Sequence, residues 1–109
     1  MIIRIWKGQT THENSNKYEQ LLKEVVFPRI KAKNVEGYKG IQLLKDQKDH
    51  YVDFITIMAF ENWMSVKNFA GEDYEKSYVI DEAKALLESY DQKAAHYELL
   101  HNTMSLNEK

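Results

Sequence analysis

The sequence has no cysteine, one proline and four glycines. Without cysteine there is no disulfide framework, thiolate metal site, iron–sulfur cluster or cysteine nucleophile. No apolar run approaches the roughly 20 residues of a membrane-spanning helix. The first residues lack a signal-peptide pattern, so a cytoplasmic location without membrane partners is the expectation. An excess of one charge is also missing. Fifteen Lys+Arg stand against 17 Asp+Glu, a net charge of −2, and such a surface carries no basic footprint for nucleic acid. What the 109 residues do have is aromatics: seven Tyr, four Phe and two Trp. A hydrophobic content of 43% with 29% charged residues belongs to a folded globular domain rather than a disordered tail. The length allows one domain, small enough that association with a second copy would bury useful additional surface.

Read along the chain, Ile2 to Lys7 is rich in β-branched and aromatic residues and predicts a strand ended by Gly8. Thr10 and Glu13 have the spacing of a capping box, with Asn14 or Ser15 as alternative caps. Tyr18, Leu21, Leu22, Val25, Val26 and Ile30 then recur at helical intervals. Pro28 lies inside that stripe, where it should kink or divide the helix. Strands are expected over Tyr38 to Lys45 and His50 to Phe60, joined by the polar turn Asp46 to Asp49 as an antiparallel hairpin. Asn62 caps a helix carrying Trp63, Val66, Phe69 and Ala70, and Gly71 closes it. A second helical piece is predicted from about Asp73 through Leu87 and a last strand over Lys93 to His101. Residues 1–102 thus form the domain and 103–109 a polar tail. The order β-α-β-β-α-β is the ferredoxin-like α+β plan, a four-stranded antiparallel sheet with helices on one face.

Alternation along the strands sorts the side chains into two sets. Ile3, Ile5, Ile41, Leu43, Val52, Phe54, Thr56, Met58, Tyr97 and Leu99 are almost wholly apolar and are assigned to the face beneath the helices. Arg4, Trp6, Tyr38, Gln42, Leu44, Tyr51, Asp53, Ile55, Ile57, His96, Glu98 and Leu100 form the other. That second face is too apolar and aromatic to be left in water, yet it carries charge. A sheet packed against its own copy across a two-fold axis would bury it and pair the charges, so a homodimer through the sheet face is expected.

Several stretches together resemble the antibiotic biosynthesis monooxygenase (ABM) domain family. They are Met1-Ile2-Ile3-Arg4-Ile5-Trp6-Lys7-Gly8, Phe27-Pro28 with Gly37-Tyr38-Lys39-Gly40, and Ile57-Met58-Ala59-Phe60. The pattern continues through Asn68-Phe69-Ala70-Gly71-Glu72-Asp73 and closes on His96-Tyr97-Glu98-Leu99-Leu100. The resemblance implies a dimeric α/β barrel made of two ferredoxin-like sheets facing one another. The family includes cofactor-free oxygenases of polyketide aromatics, haem-degrading enzymes and quinol oxygenases, so the fold alone does not select a reaction. The haem-degrading branch uses an Asn, a Trp and a haem-ligating His. The corresponding places here are Lys7, Phe69 and Tyr78 or Ser77, and none keeps the required residue type. The Asn, Trp, Tyr and Arg that the polyketide oxygenases place around substrate have no clean counterpart either. Asn62 and Trp63 are adjacent rather than spaced, and no Arg follows Arg29.

Cofactor-free oxygenation needs an electron-rich phenol or anthrone, a base, and a site shielded from water. Phe54, Trp63, Phe69, Tyr74 and Tyr97 are the candidate substrate-binding residues of a pocket between helices and sheet, with Tyr78 or His96 as the proton-handling group. Each aromatic has an ordinary alternative role in the core. For His96 the favoured reading is a fixed place in an interfacial hydrogen-bond network near Arg4, Asp53 and Glu98; as a base it would need a cavity reaching that face. His96 and His101 point to opposite faces and cannot share a metal. His12, at a helix start, and His50, at a turn, are expected in solvent. No nucleophile–His–acid spacing, phosphate-binding glycine loop or metal cluster is present, so no cofactor is expected. Two functions follow: a cofactor-independent monooxygenase acting on a small aromatic or quinol-type molecule, or a non-catalytic dimeric ligand-binding or stress-response module.

Overall fold

The computed structural model describes residues 1–106; positions 107–109 of the polar tail lie outside the described residues. Strand β1 (Ile2–Thr10) leads into a long helical arm made of α1 (His12–Leu21), a π-helical turn (Leu22–Val26) and α2 (Phe27–Ala32). The hairpin β2 (Tyr38–Gln47) and β3 (Val52–Phe60) follows, then α3 (Trp63–Ala70), the single turn α4 (Asp81–Lys84), β4 (Leu87–Tyr90) and β5 (Ala95–Glu98). All strand pairings are antiparallel, in the order β2-β3-β1. Beyond β1, two short strands share the last position. β5 pairs with Ile2 to Ile5 and β4 with Gly8 to Thr10. The architecture is therefore the ferredoxin-like α+β plan, with its final edge strand split in two.

The helical arm shows how sequence sets local form. Thr11, rather than Thr10, caps α1, its hydroxyl accepting from the Asn14 N–H at 3.1 Å. Thr10 is instead the fully buried last residue of β1. Pro28 has no N–H to give, and the helix widens into the π-turn just before it, with the Phe27 N–H donating to the Leu22 carbonyl. The arm runs on past the proline. Tyr18, Leu22, Val26 and Ile30 from this arm pack on Val52, Phe54, Met58 and Phe60 of β3, with Val66 and Phe69 of α3 at one end. Asn62 caps α3 through the Ser65 N–H at 3.0 Å, and Gly71 ends it at φ 87°.

Four expectations are corrected. First, β1 does not end at Gly8: a Cβ there would come within 2.9 Å of both the Trp6 ring and Leu87, so the glycine lets the strand continue beneath them. Second, 73–87 is not a helix beyond the α4 turn, because its backbone groups are engaged elsewhere. The Tyr74 and Lys76 carbonyls accept from Arg4, the Glu75 carbonyl accepts from the Ala94 N–H, and the Ser77 N–H donates to Gln92. Third, the closing strand covers only Ala95–Glu98.

The fourth correction concerns the two sheet faces. In β1 the side chains beneath the helices are Ile2, Arg4, Trp6 and Thr10, all buried, while Ile3 and Ile5 turn outward. Opposite Arg4 and Ile3, His96 joins the helix side and Tyr97 the outer side. Inverting one strand by a single position moves every side chain to the other face. The inversion follows the polar partners: Trp6 and Arg4 find their acceptors in residues 74–77 and at Asp91, which lie on the helix side. Tyr38 also turns inward, against Phe60 with ring centroids 5.8 Å apart, because a bulge follows it before Gly40. In β2 and β3 the expected division holds: Ile41, Leu43, Phe54 and Met58 face the core and Gln42, Leu44, Ile55 and Ile57 the outer side.

Candidate active site

A small cavity of about 50 Å3 lies between the sheet and the helical arm. Its floor is Arg4 and Trp6 of β1, Ile41 of β2, and Thr56 and Met58 of β3. Tyr18, Leu22, Val26, Phe27 and Ile30 of the arm form its roof. Phe69 and the stretch from Tyr78 to Ala83 close its mouth. A water needs about 10–15 Å3 on this measure, whereas a cavity that takes benzene is about 150 Å3. At this volume the cavity holds a few small groups and no aromatic ring. Wider grooves of about 560 and 740 Å3 lie on the outside of the helical arm, open to solvent.

Arg4 is the charged residue of the cavity. It is 3% exposed, and burial lowers it to about 10, so it stays protonated near neutrality. Its Nη1 donates to the Tyr74 carbonyl and lies 3.1 Å from Nε2 of His96, and its Nη2 donates to the Lys76 carbonyl at 3.1 Å. Its Cζ lies 5.6 Å from the centroid of Phe69. Trp6 is held by its indole N–H, which is shared between Ser77 Oγ and the Asp91 carbonyl, each at 2.9 Å. Ser77 Oγ in turn donates to that same carbonyl.

Behind Arg4, away from the cavity, Trp63, Tyr74 and His96 form a ring cluster. Tyr74 meets His96 edge-on at 5.2 Å, and Trp63 lies 5.9 Å from His96 and 5.6 Å from Tyr74. Desolvation first, then the Arg4 charge, push His96 below its ordinary value, with Glu75 opposing. A guanidinium can only donate, so Nε2 of His96 is an acceptor and its proton sits on Nδ1.

Of the residues read from the sequence, Phe69 and Tyr78 line the cavity, their rings edge-to-face at 5.7 Å. Lys33 covers both from outside, its Nζ 4.4 Å from the Tyr78 centroid and 5.3 Å from that of Phe69. Trp63, Tyr74 and His96 form the adjoining cluster rather than the wall. Phe54 is a core residue packed edge-on against Tyr18 at 5.0 Å. Tyr97 is 57% exposed on the outer face. Sequence reasoning missed Arg4 and Trp6 as cavity residues. The signal was available: an arginine and an indole on one side of β1 each require polar partners, and the sheet's outer face offers few. Among the described residues no group of three His, Asp or Glu side chains converges on a metal position, and no helix is long and apolar enough to cross a membrane.

The same fold is found in a crystal structure named as a candidate antibiotic biosynthesis monooxygenase from Bacillus cereus. The two agree with a TM-score of 0.67 and 12% sequence identity over 98% of each chain. The likeness is one of fold, an ABM-like architecture. No protein-family model and no curated protein matches the sequence.

Proposed function

We propose that the chain oxidises a small aromatic or quinol-type substrate with dioxygen and without a cofactor of its own. What carries the reading is the largely apolar cavity between sheet and helical arm, with Trp6, Tyr18, Phe69 and Tyr78 in its wall, in a fold shared with a candidate antibiotic biosynthesis monooxygenase. Exclusion of water strengthens charge interactions within such a site and protects reactive intermediates. The substrate supplies the electrons: in an anthrone the ring methylene and O2 become C=O and H2O, and in a hydroquinone the diol and one ring C–H with O2 become a hydroxyquinone and H2O. A ring enters when Tyr78, Val79 and Ile80 move outward from the cavity wall, while residues 74–77 stay bonded to Arg4 and Trp6. Tyr78, at the mouth, is then the proton-handling group nearest the substrate, and His96 acts from behind Arg4.

The cavity wall holds no carboxylate and no imidazole, which favours a second reading: a binding module that sequesters or senses its ligand without turnover. Oxygen uptake with a panel of hydroquinones and anthrones separates the two. Saturable uptake, one O2 per substrate molecule oxygenated, supports oxygenation. Saturable binding without uptake supports the module, and neither would discard both.

The assembly belongs to the same proposal. The outer sheet face presents Ile3, Ile5, Leu44, Ile55, Ile57 and Tyr97, with a polar group at one end, where Asp53 accepts from Gln9 Nε2 at 2.9 Å and lies 3.8 Å from Lys7 Nζ. A contiguous apolar patch with a satisfied polar group at its edge fits a second copy of itself across a two-fold axis. The proposed form is a cytoplasmic homodimer with one cavity per chain.

A further inference from the structure

We propose that the cavity is a carboxylate-binding subsite, with Arg4 as its receptor. The proposal deepens the reading above only in using the same cavity. Arg4 is buried, lines the cavity, and among the described residues has no carboxylate within ion-pair distance. The cationic residues that do form ion pairs here all have side chains at least 40% exposed. A buried guanidinium ordinarily carries its counter-charge with it, since desolvation of an unpaired charge is costly.

The partners Arg4 does have are two backbone carbonyls and a neutral imidazole. They orient the fork without neutralising it. Of its five N–H groups these use three, leaving Nε–H and one Nη2–H, on the adjacent nitrogens that a carboxylate takes side-on. The wall contains no Asp or Glu, and Lys33 adds a second positive charge over Phe69 and Tyr78 at the mouth. The volume of about 50 Å3 suits a group of formate or acetate size. The site is thus built for the carboxylate itself, whether it arrives alone or as the head of a larger acid.

The test titrates the full chain with sodium acetate, and separately with neutral acetamide of nearly the same shape, at fixed ionic strength. Binding is followed through the NMR signals of the Arg4 guanidinium and the Trp6 indole N–H. Acetate is expected to shift both saturably and to bind at least about tenfold more tightly than acetamide, the difference a charge-assisted bidentate pair supports. Arg4→Met is expected to remove saturable binding, and Arg4→Lys, which keeps charge but loses the fork, to weaken it about tenfold. The acetamide comparison needs no variant, so it holds even where Arg4→Met fails to fold. Benzoate binding at the same signals would make the subsite the head position of a larger acid. Acetate without benzoate would make the small carboxylate itself the ligand. Equal binding of acetate and acetamide, or no saturable shift at Arg4, overturns the proposal. If hydroquinone or anthrone oxidation proceeds regardless, the oxygenase reading stands without it.

Discussion

Nη1 of Arg4 lies 3.1 Å from Nε2 of His96, across the paired positions of β1 and β5. Only a neutral imidazole can accept there, and the contact has a consequence for stability. Desolvation and the Arg4 charge lower the folded-state value of His96, with Glu75 partly opposing; Trp63 and Tyr74 are its ring neighbours. As pH falls through the ordinary histidine value near 6.5 towards the lower folded value, the unfolded chain takes up its proton first. Stability is therefore lost across that window, and the loss is complete once the folded form also protonates. Thermal midpoints measured from pH 7.5 to pH 5 are expected to fall more for the unaltered chain than for His96→Gln, which keeps an uncharged acceptor. Equal slopes would mean that the contact does not hold His96 neutral.

Gly37 and Gly71 form a matched pair, with φ of 85° and 87°. A Cβ on Gly37 would stand 1.9 Å from Ser65 Oγ and 2.8 Å from its Cβ, whereas one on Gly71 meets nothing within 4 Å. Gly71→Ala should cost about 1–3 kcal/mol for its backbone alone, since φ 87° with ψ −173° is a conformation essentially only glycine adopts. Gly37→Ala adds a clash where β2 passes the start of α3, and should cost more than about 2 kcal/mol. Denaturant midpoints give the comparison directly.

For Tyr78→Phe, the proposed oxygenation predicts a fall in turnover of about 100-fold with KM little changed, the size of a lost proton-transfer group. The ring contact with Phe69 survives that substitution. Unchanged turnover would move the proton-handling role away from Tyr78. His96→Ala, acting from behind Arg4, should lower turnover less.

Ile57 sits on the outer face of β3, opposite Ile5 in the register. Ile57→Glu is expected to leave the fold intact by circular dichroism while preventing association. By light scattering the unaltered chain should have a mass of about 26 kDa, twice the 12.9 kDa of one chain, and the variant that of one chain. A micromolar solution of the unaltered chain at the single-chain mass would remove the dimer.

Haem provides an independent check. Lys7 projects to the outer face, while Phe69 and Tyr78 enclose a cavity of about 50 Å3. Titration with haem should give no tight stoichiometric Soret shift and no degradation; either result would reopen that branch.

The arrangement of elements was legible in the residues because it rests on local chemistry. The stripe Tyr18, Leu22, Val26 and Ile30, the Asn62 cap, the Gly71 stop and the β2–β3 hairpin each depend on neighbours a few positions away. The site was legible only in part. Phe69 and Tyr78 stood out as aromatics following β3, but Arg4 and Trp6 were placed on the wrong face. Alternation shows which side chains share a face, and the facing direction was read from hydrophobicity, which favoured Ile3 and Ile5. Long-range hydrogen bonds from Arg4 to residues 74 and 76, and from Trp6 to residues 77 and 91, outweighed it.

By itself, then, the sequence determined a cysteine-free, near-neutral chain with ferredoxin-like element order. It also picked out two of the cavity's aromatics, Phe69 and Tyr78, and placed the apolar residues of β2 and β3 on each sheet face. The tertiary structure decided which way β1 faces, that 71–80 wraps rather than coils into a helix, and that a guanidinium ends up inside. The physical reason is the satisfaction of buried polar groups. A charge and an indole N–H go where acceptors exist, and those acceptors, the Tyr74, Lys76 and Asp91 carbonyls and the Ser77 hydroxyl, lie 70 to 85 residues further along the chain.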